Sequence, residues 1–205
     1  MSGGKRRTQA ERRAATRMAL LEATVECLVD YGYRNVTSAQ IATRAGVTRG
    51  AQAHYFANKT ELVVAGLEHA TTKIVDEFRA DPPRRPTEAE TVMALVDRLW
   101  ELHESKPFTA VTELWLGSRT DPELRSHVGR FNRQLAGGMN DLLNEVVPDF
   151  LSRPRGTAVM LTAFAAIRGV LLMSFVSSPR TVAALWAVTR GELENLVAQV
   201  IEAPG

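Results

Sequence analysis

The sequence predicts an all-α protein of about nine helices, and three observations carry the prediction. Proline is absent before Pro82, then falls at Pro83, Pro86, Pro107, Pro122, Pro148, Pro154, Pro179 and Pro204, so the strongest helix breaker punctuates the chain at intervals. The stretches between are rich in Ala, Leu, Glu and Arg, which form helices well. No period-2 run of Val, Ile, Thr and aromatic residues extends beyond a few positions, so the pattern of a half-buried strand is missing.

The first helix is expected from about residue 9 to Tyr31, with Met18, Leu21, Val25, Leu28 and Val29 on its inner face and Gly32 as its C-terminal cap. Thr37 with Gln40 three residues on is a capping box for a short second helix, about 38–45, closed by Gly46. Thr48 caps a third, about 49–55. Asn58 with Glu61 opens a long fourth helix reaching Arg79. The 81–86 stretch, DPPRRP, breaks the pattern, and Thr87 with Glu90 caps a fifth helix to about Ser105. Pro107 begins a sixth. Asp121–Pro122 is an N-cap followed by proline at the first helical position, and starts a seventh toward Val147, with either a kink or a close contact expected at Gly137–Gly138. Residues 148–156 read as a loop. Two last helices follow, about 157–177 and 181–202.

At 205 residues, with 45% apolar and 23% charged side chains, the chain is long enough for a substantial core and has an ordinary soluble composition. Cys27 is the only cysteine, which excludes a disulfide framework and a cysteine-based zinc site and fits a reducing cytoplasm. Lys5, Arg6, Arg7, Arg12 and Arg13 precede any apolar run, so the N-terminus is no secretory signal. Charge is lopsided: residues 1–60 hold ten Lys/Arg against four Asp/Glu, and the remainder fifteen against nineteen. A basic end on a mildly acidic body points to a polyanion contact. The apolar stretch 157–176 has the length of a membrane span, but Arg168 near its centre would cost about 2.5–3.5 kcal/mol on insertion. A helix buried in a dimer explains it better. His54, His69, His103 and His127 lack metal-ligand spacing, and no HExxH, P-loop, GxSxG or Cys–His arrangement is present, so neither a metal nor an enzymatic function is expected.

The specific signal lies at residues 37–56, TSAQIATRAGVTRGAQAHYF. Ile41 and Ala42 face inward, Gly46 permits a left-handed turn, and Val47 plugs the gap before the next helix. This is a helix-turn-helix pattern, in which the second helix offers its N-terminal end to a DNA major groove. With its flanks, from Tyr31-Gly32-Tyr33 through Ala45-Gly46-Val47, Arg49-Gly50 and Tyr55-Phe56 to Lys59 and Leu62, the segment resembles the DNA-binding end of the tetracycline-repressor (TetR) family of bacterial transcriptional regulators. The resemblance covers about residues 16–63. It implies a DNA-binding head at 1–57, an effector-binding and dimerisation body at 58–205, and a homodimer on a palindromic operator.

Carried over residue by residue, the family's DNA contacts fall on Ser38, Thr48, Arg49, Gly50, Ala51, Ala53, His54, Tyr55 and Lys59, and Thr37 joins them as a helix-terminal hydroxyl. Thr37, Ser38 and Thr48 sit where backbone N–H groups and a hydroxyl can hold a phosphate. Arg49 can make two hydrogen bonds to a guanine edge. Gly50 and Ala51 keep the surface low, His54 and Tyr55 can bond phosphate or base, and Lys59 is a phosphate anchor. Arg6, Arg7, Arg12, Arg13 and Arg17 can add backbone or minor-groove contacts. Two positions depart from the family: Gln52 stands where leucine is common and Ala53 where tyrosine often contacts phosphate. Periodicity places Gln52 on the inner face as a spacer, against a competing role as an adenine reader.

In the body, Met93, Trp100, Trp115, Phe131, Met139, Met160 and Phe164 are candidate effector contacts, since flexible methionines and aromatics can line an apolar pocket as well as fill a core. Arg168 can pair with a carboxylate such as Glu113 or bind an acidic ligand head group. The expected function is a ligand-responsive repressor released by a small apolar or amphipathic effector, with no cofactor and no membrane partner. The alternatives are a helical lipid- or small-molecule-binding protein without specific DNA binding, and an enzyme.

Overall fold

The computed structural model describes residues 8–203. Among them lie ten helices and no strand: α1 (Gln9–Asn35), α2 (Ser38–Arg44), α3 (Arg49–Ala53), α4 (Lys59–Ala80), α5 (Glu88–His103), α6 (Lys106–Ser118), α7 (Pro122–Val146), α8 (Pro148–Ser152), α9 (Gly156–Ser174) and α10 (Pro179–Glu202). The helix beyond the expected nine is α8, within the stretch read as a loop. Pro148 starts it without sacrificing a helical N–H, and fully buried Phe150 anchors it. α7 runs unbroken through Gly137–Gly138, and a Cβ added at either glycine would meet nothing within 4 Å, so the pair marks neither a kink nor a close contact among the described residues.

Two compact units result. The first gathers the described residues up to Ile74 with Lys106–Leu135; the second gathers Val75–Ser105 with the described residues from Ala136 onward. α4 and α7 each contribute turns to both.

In the first unit α1 packs against α6 and α2. From Leu20 to Leu28 only Glu22 and Glu26 remain exposed, so the buried arc of α1 is wider than a single apolar stripe. Met18, expected on the inner face, is 38% exposed because the buried arc begins two residues later. Ile41, Phe56, Leu62, Leu67, Leu114 and Leu124 complete this core.

In the second unit α9 packs against α10, α5 and α8, and α5 against α10. Leu95, Leu99, Leu142, Phe150, Ala163, Ile167 and Leu193 are among its most buried side chains. Trp100 and Trp186 stack 4.4 Å apart, only 10° from parallel. Arg190 of α10 grips Asp97 of α5 with two hydrogen bonds, 2.7 and 2.9 Å. By length and composition α9 qualifies as a membrane span. In the fold, however, Val159, Met160, Ala163, Ile167 and Leu171 face the interior of the unit. What the α9–α10 hairpin leaves outside is also apolar: Leu161, Val176 and Val188 are 64%, 79% and 70% exposed, and Leu172, Met173, Phe175 and Leu185 accompany them. Leu193, Val197 and Val200 of α10 are buried within the unit.

Candidate nucleic-acid interface

The 37–56 segment folds as its spacing requires. The Thr37 hydroxyl accepts from the Gln40 amide at 3.2 Å and donates to Gln40 Oε1, while that oxygen also accepts the Thr37 amide at 2.7 Å. α2 ends in a Schellman turn, with the Val47 N–H donating to the Ala42 carbonyl and the Gly46 N–H to that of Thr43. Gly46 supplies the positive φ of 68° that closes this turn, a conformation in which a Cβ is unfavourable. The Thr48 hydroxyl then accepts the Ala51 amide at 3.1 Å and caps α3.

A helix of five residues cannot repay its own nucleation, so α3 depends on its anchors. Gln52 and Phe56 are buried, and Tyr55 and Val47 pack half-buried on the core. Gln52 is 4% exposed and its Nε2 donates to the Phe56 carbonyl at 3.3 Å. The inner-face reading of Gln52 holds: a buried amide satisfied on backbone has no reach to a base. What remains outward is Arg49, Gly50, Ala53 and His54, with Ala51 half-buried. Gly50 adds no bulk, and its surroundings are open apart from the Thr48 hydroxyl.

Around this helix the charged side chains divide into free and committed. Arg12 and Arg13 are exposed on α1, and Arg17 lies 5.6 Å over the Phe56 ring; Lys5, Arg6 and Arg7 fall outside the described residues. Ser38 is half-buried at the first position of α2. Arg44 bonds Asp30, lies near Glu26 and sits over the Tyr31 ring, tying α2 to α1. Asp30's hydrogen bond raises the Arg44 guanidinium further above its ordinary range. Sequence reasoning missed this clamp and gave Arg44 no role, since its partner Asp30 lies 14 residues away on another helix. Lys59 is half-buried: its Nζ donates to the Tyr33 carbonyl at 2.7 Å and lies 4.4 Å from the centroid of that ring. Burial pulls its ammonium below the usual lysine range, against the opposing pull of Asp121.

The candidate effector residues divide between the units. Trp115 and Phe131 belong to the first, where Trp115 Nε1 donates to Asn132 at 2.9 Å. Met93, Trp100, Met139, Met160, Phe164 and Arg168 belong to the second. Arg168 lies 5.8 Å over the Phe164 ring, and its charge acts on His103. A cleft of about 990 Å³ opens in the second unit between α5 and α10 under the 81–86 strap; Met93 lines it, amid a charged rim of Arg84, Arg98, Glu101 and Arg190.

A short, small-surfaced helix led by an exposed arginine, presented by a capped glycine turn, defines a helix-turn-helix protein. The pattern of the bacterial regulatory proteins of the tetR family matches residues 20–65. Over 171 residues the chain is 30% identical to the HTH-type transcriptional regulator CymR of Pseudomonas putida, an alignment covering 83% of this chain and 84% of that one. The chain belongs to the tetR family and is a DNA-binding transcriptional regulator. Among solved structures, FadR from Bacillus subtilis in complex with stearoyl-CoA is similar with a TM-score of 0.65 at 18% identity, covering 88% of this chain and 96% of FadR. The multidrug binding protein EbrR complexed with proflavin gives 0.57 at 20% identity, covering 90% and 99%. At these identities the likeness is one of fold.

Proposed function

We propose that the protein is a ligand-responsive repressor of the cytoplasm that binds a palindromic operator as a homodimer and acts by binding rather than catalysis. Residues 1–57 form the DNA-binding head and 58–205 the effector-binding and dimerisation body. Two copies of α3, related by a two-fold axis, enter successive major grooves about 34–36 Å apart. Arg49 reads a guanine edge, Gly50, Ala51 and Ala53 allow close approach, and His54 and Tyr55 bond phosphate or base. Thr37, Ser38, Thr48 and Lys59 hold the backbone, with Arg12, Arg13 and Arg17 adding charge.

The exposed apolar face of α9 and α10 is covered by the same face of a second copy, in an isologous four-helix contact. A small apolar or amphipathic effector binds among the body helices, with Met93, Trp100, Trp115, Phe131, Met139, Met160, Phe164 and Arg168 as its candidate contacts. The stearoyl-CoA of FadR, an apolar acyl chain on a charged nucleotide carrier, and the proflavin of EbrR, a flat aromatic amine, support that amphipathic class. The effector lowers DNA affinity by its preference for the state whose two heads no longer match the grooves.

The observation that carries the reading is Arg49, exposed at the open end of a helix that buries its other face. A duplex selected by the wild-type protein from a random-sequence pool provides the test. Arg49→Ala is expected to weaken binding by about 10–100-fold and to relax preference at one base position in each half-site. Unchanged affinity and preference would refute the assignment.

A further inference from the structure

Tyr33 sits where the first unit's helices meet. At Gly32 the backbone of α1 turns to φ 69°, ψ 163°, which interrupts the helix. The Tyr33 amide donates to Glu113 Oε2 of α6 at 3.4 Å, and its carbonyl accepts from Lys59 Nζ of α4 at 2.7 Å. Its hydroxyl donates to Asp121 Oδ2 at 3.1 Å. Asp121 is also the N-cap of α7, with Oδ1 accepting the Leu124 amide at 2.9 Å. Tyr33 is 7% exposed, and its ring presses so closely on α6 that a Cβ at Gly117 would come within 2.7 Å of Tyr33 Cδ1. One residue thus touches α4, α6 and the start of α7 while standing on α1.

Lys59 is held there without being neutralised. Among the described residues no carboxylate oxygen comes within 4 Å of its Nζ. An ammonium has three N–H donors, of which the Tyr33 carbonyl takes one. The ring face beneath it adds a cation–π attraction that fixes the charge in place while leaving it a charge. Carboxylates stand one step back, at Glu113 and Asp121, where they grip Tyr33 instead.

We propose that Tyr33 is the positioning residue for Lys59: it holds the ammonium at the base of α4 for a DNA phosphate and ties it to α6 and α7, so that displacement of either helix is felt at the phosphate contact itself. The inference rests on the DNA-binding reading above. It adds a route from the α6–α7 corner to the DNA that does not pass along α4. A purely structural Tyr33 would fill the same space, but it would have no energetic coupling to Lys59.

The test is a double-mutant cycle on the full-length protein and the selected duplex, with affinity measured against salt. Lys59→Gln is expected to lower affinity about 3–10-fold and to reduce the slope of log affinity against log salt by about one per protomer. Tyr33→Leu should reproduce both effects in the wild-type background, yet change affinity less than about twofold once Lys59 is gone. Tyr33→Phe, which keeps the ring and removes the hydroxyl's bonds to Asp121 and to Thr60 of α4, should give a smaller loss with the same dependence on Lys59, and serves if the leucine variant fails to fold. Additive effects, an unchanged salt slope or a gain in affinity for the Tyr33 variants would overturn the proposal. If Lys59→Gln leaves the slope unchanged while Arg49→Ala still relaxes preference, the coupling fails and the helix-turn-helix reading stands. If neither substitution matters, both fail.

Discussion

The recognition end and the α9–α10 hairpin expose themselves in opposite ways. Around α3 the outward residues are small or polar, and the apolar ones, with Gln52, are turned inward. On the hairpin, Leu161 and Val188 stand in solvent on helices of 19 and 24 residues whose inner faces are already packed, and Val176 does so in the turn between them. A five-residue helix gains its shape from neighbours and caps, and can spare its outer surface for a charged partner. A long helix with apolar residues on both sides lacks a covering layer. The proposed function gives the two surfaces different partners, a polyanion for one and a second apolar face for the other.

The largest expected effect comes from breaking the second surface. The double substitution Leu161→Glu, Val188→Glu places two charges on the hairpin's outer face without touching the buried core. Sedimentation should show a monomer with unchanged helix content, and affinity for the selected duplex should fall at least about 100-fold, since bivalent binding is lost. Arg49→Ala, by contrast, should leave the dimer intact. A double variant that still sediments as a dimer would move the interface elsewhere.

Acid should separate the regions next. His103 of the second unit is 1% exposed, with Nδ1 2.6 Å from the Leu99 carbonyl. Burial pushes its imidazole down to about 4, and the positive charge of Arg168 adds to the shift. The unfolded chain takes up that proton near pH 6.5, so between these values the unfolded state binds more protons and stability rises with pH. The full contribution is present above 6.5 and lost as pH falls through 4; between pH 7 and 5 the loss is about 2 kcal/mol. Denaturant unfolding of a Trp115→Phe variant, followed by Trp100 and Trp186 in the second unit, should show this slope, and His103→Gln should flatten it. In the recognition segment, His54 is exposed. An equal slope in the His103→Gln protein would assign the pH dependence to other groups.

The same contrast separates what was legible in the sequence from what was not. Thr37–Gln40, Thr48 and Gly46 act across three to five residues, so their spacing shows the caps and the turn directly. The phase of Gln52 against Tyr55 and Phe56 likewise places it inside. Tyr33 was visible only as part of a motif, because its partners Glu113 and Asp121 lie 80 and 88 residues away. Nothing local marks a glutamate as the acceptor for a distant amide. α8 escaped because a single buried Phe150 holds one short turn between prolines, too brief for any periodicity. On α10 the apolar residues divide between two sides: Leu185 and Val188 are outside, Leu193 and Val197 inside. Hydrophobicity alone cannot distinguish a core from an uncovered face.

The smallest effect sharpens the comparison most, because it applies one chemical change to both regions. Thr48 Oγ1 caps α3 through the Ala51 amide, and Ser178 Oγ caps α10 through the Thr181 amide, at 3.1 and 3.2 Å. Each cap is worth about 1 kcal/mol to its helix. In α10, 24 residues long and packed along α9 and α5, that loss is shared by the whole unit, so Ser178→Ala should lower global stability by about 1 kcal/mol and leave DNA affinity alone. In α3 the cap supports five residues that can fray locally while the core under them stays folded. Thr48→Ala should therefore lower global stability by less than about 0.5 kcal/mol yet cost about 5–10-fold in affinity, and Thr48→Ser should restore it. Calorimetry and duplex titration on the three variants read both quantities. Equal losses of affinity at Thr48 and Ser178 would mean that the short helix is no more dependent on its cap than the long one, and that its order is imposed from elsewhere.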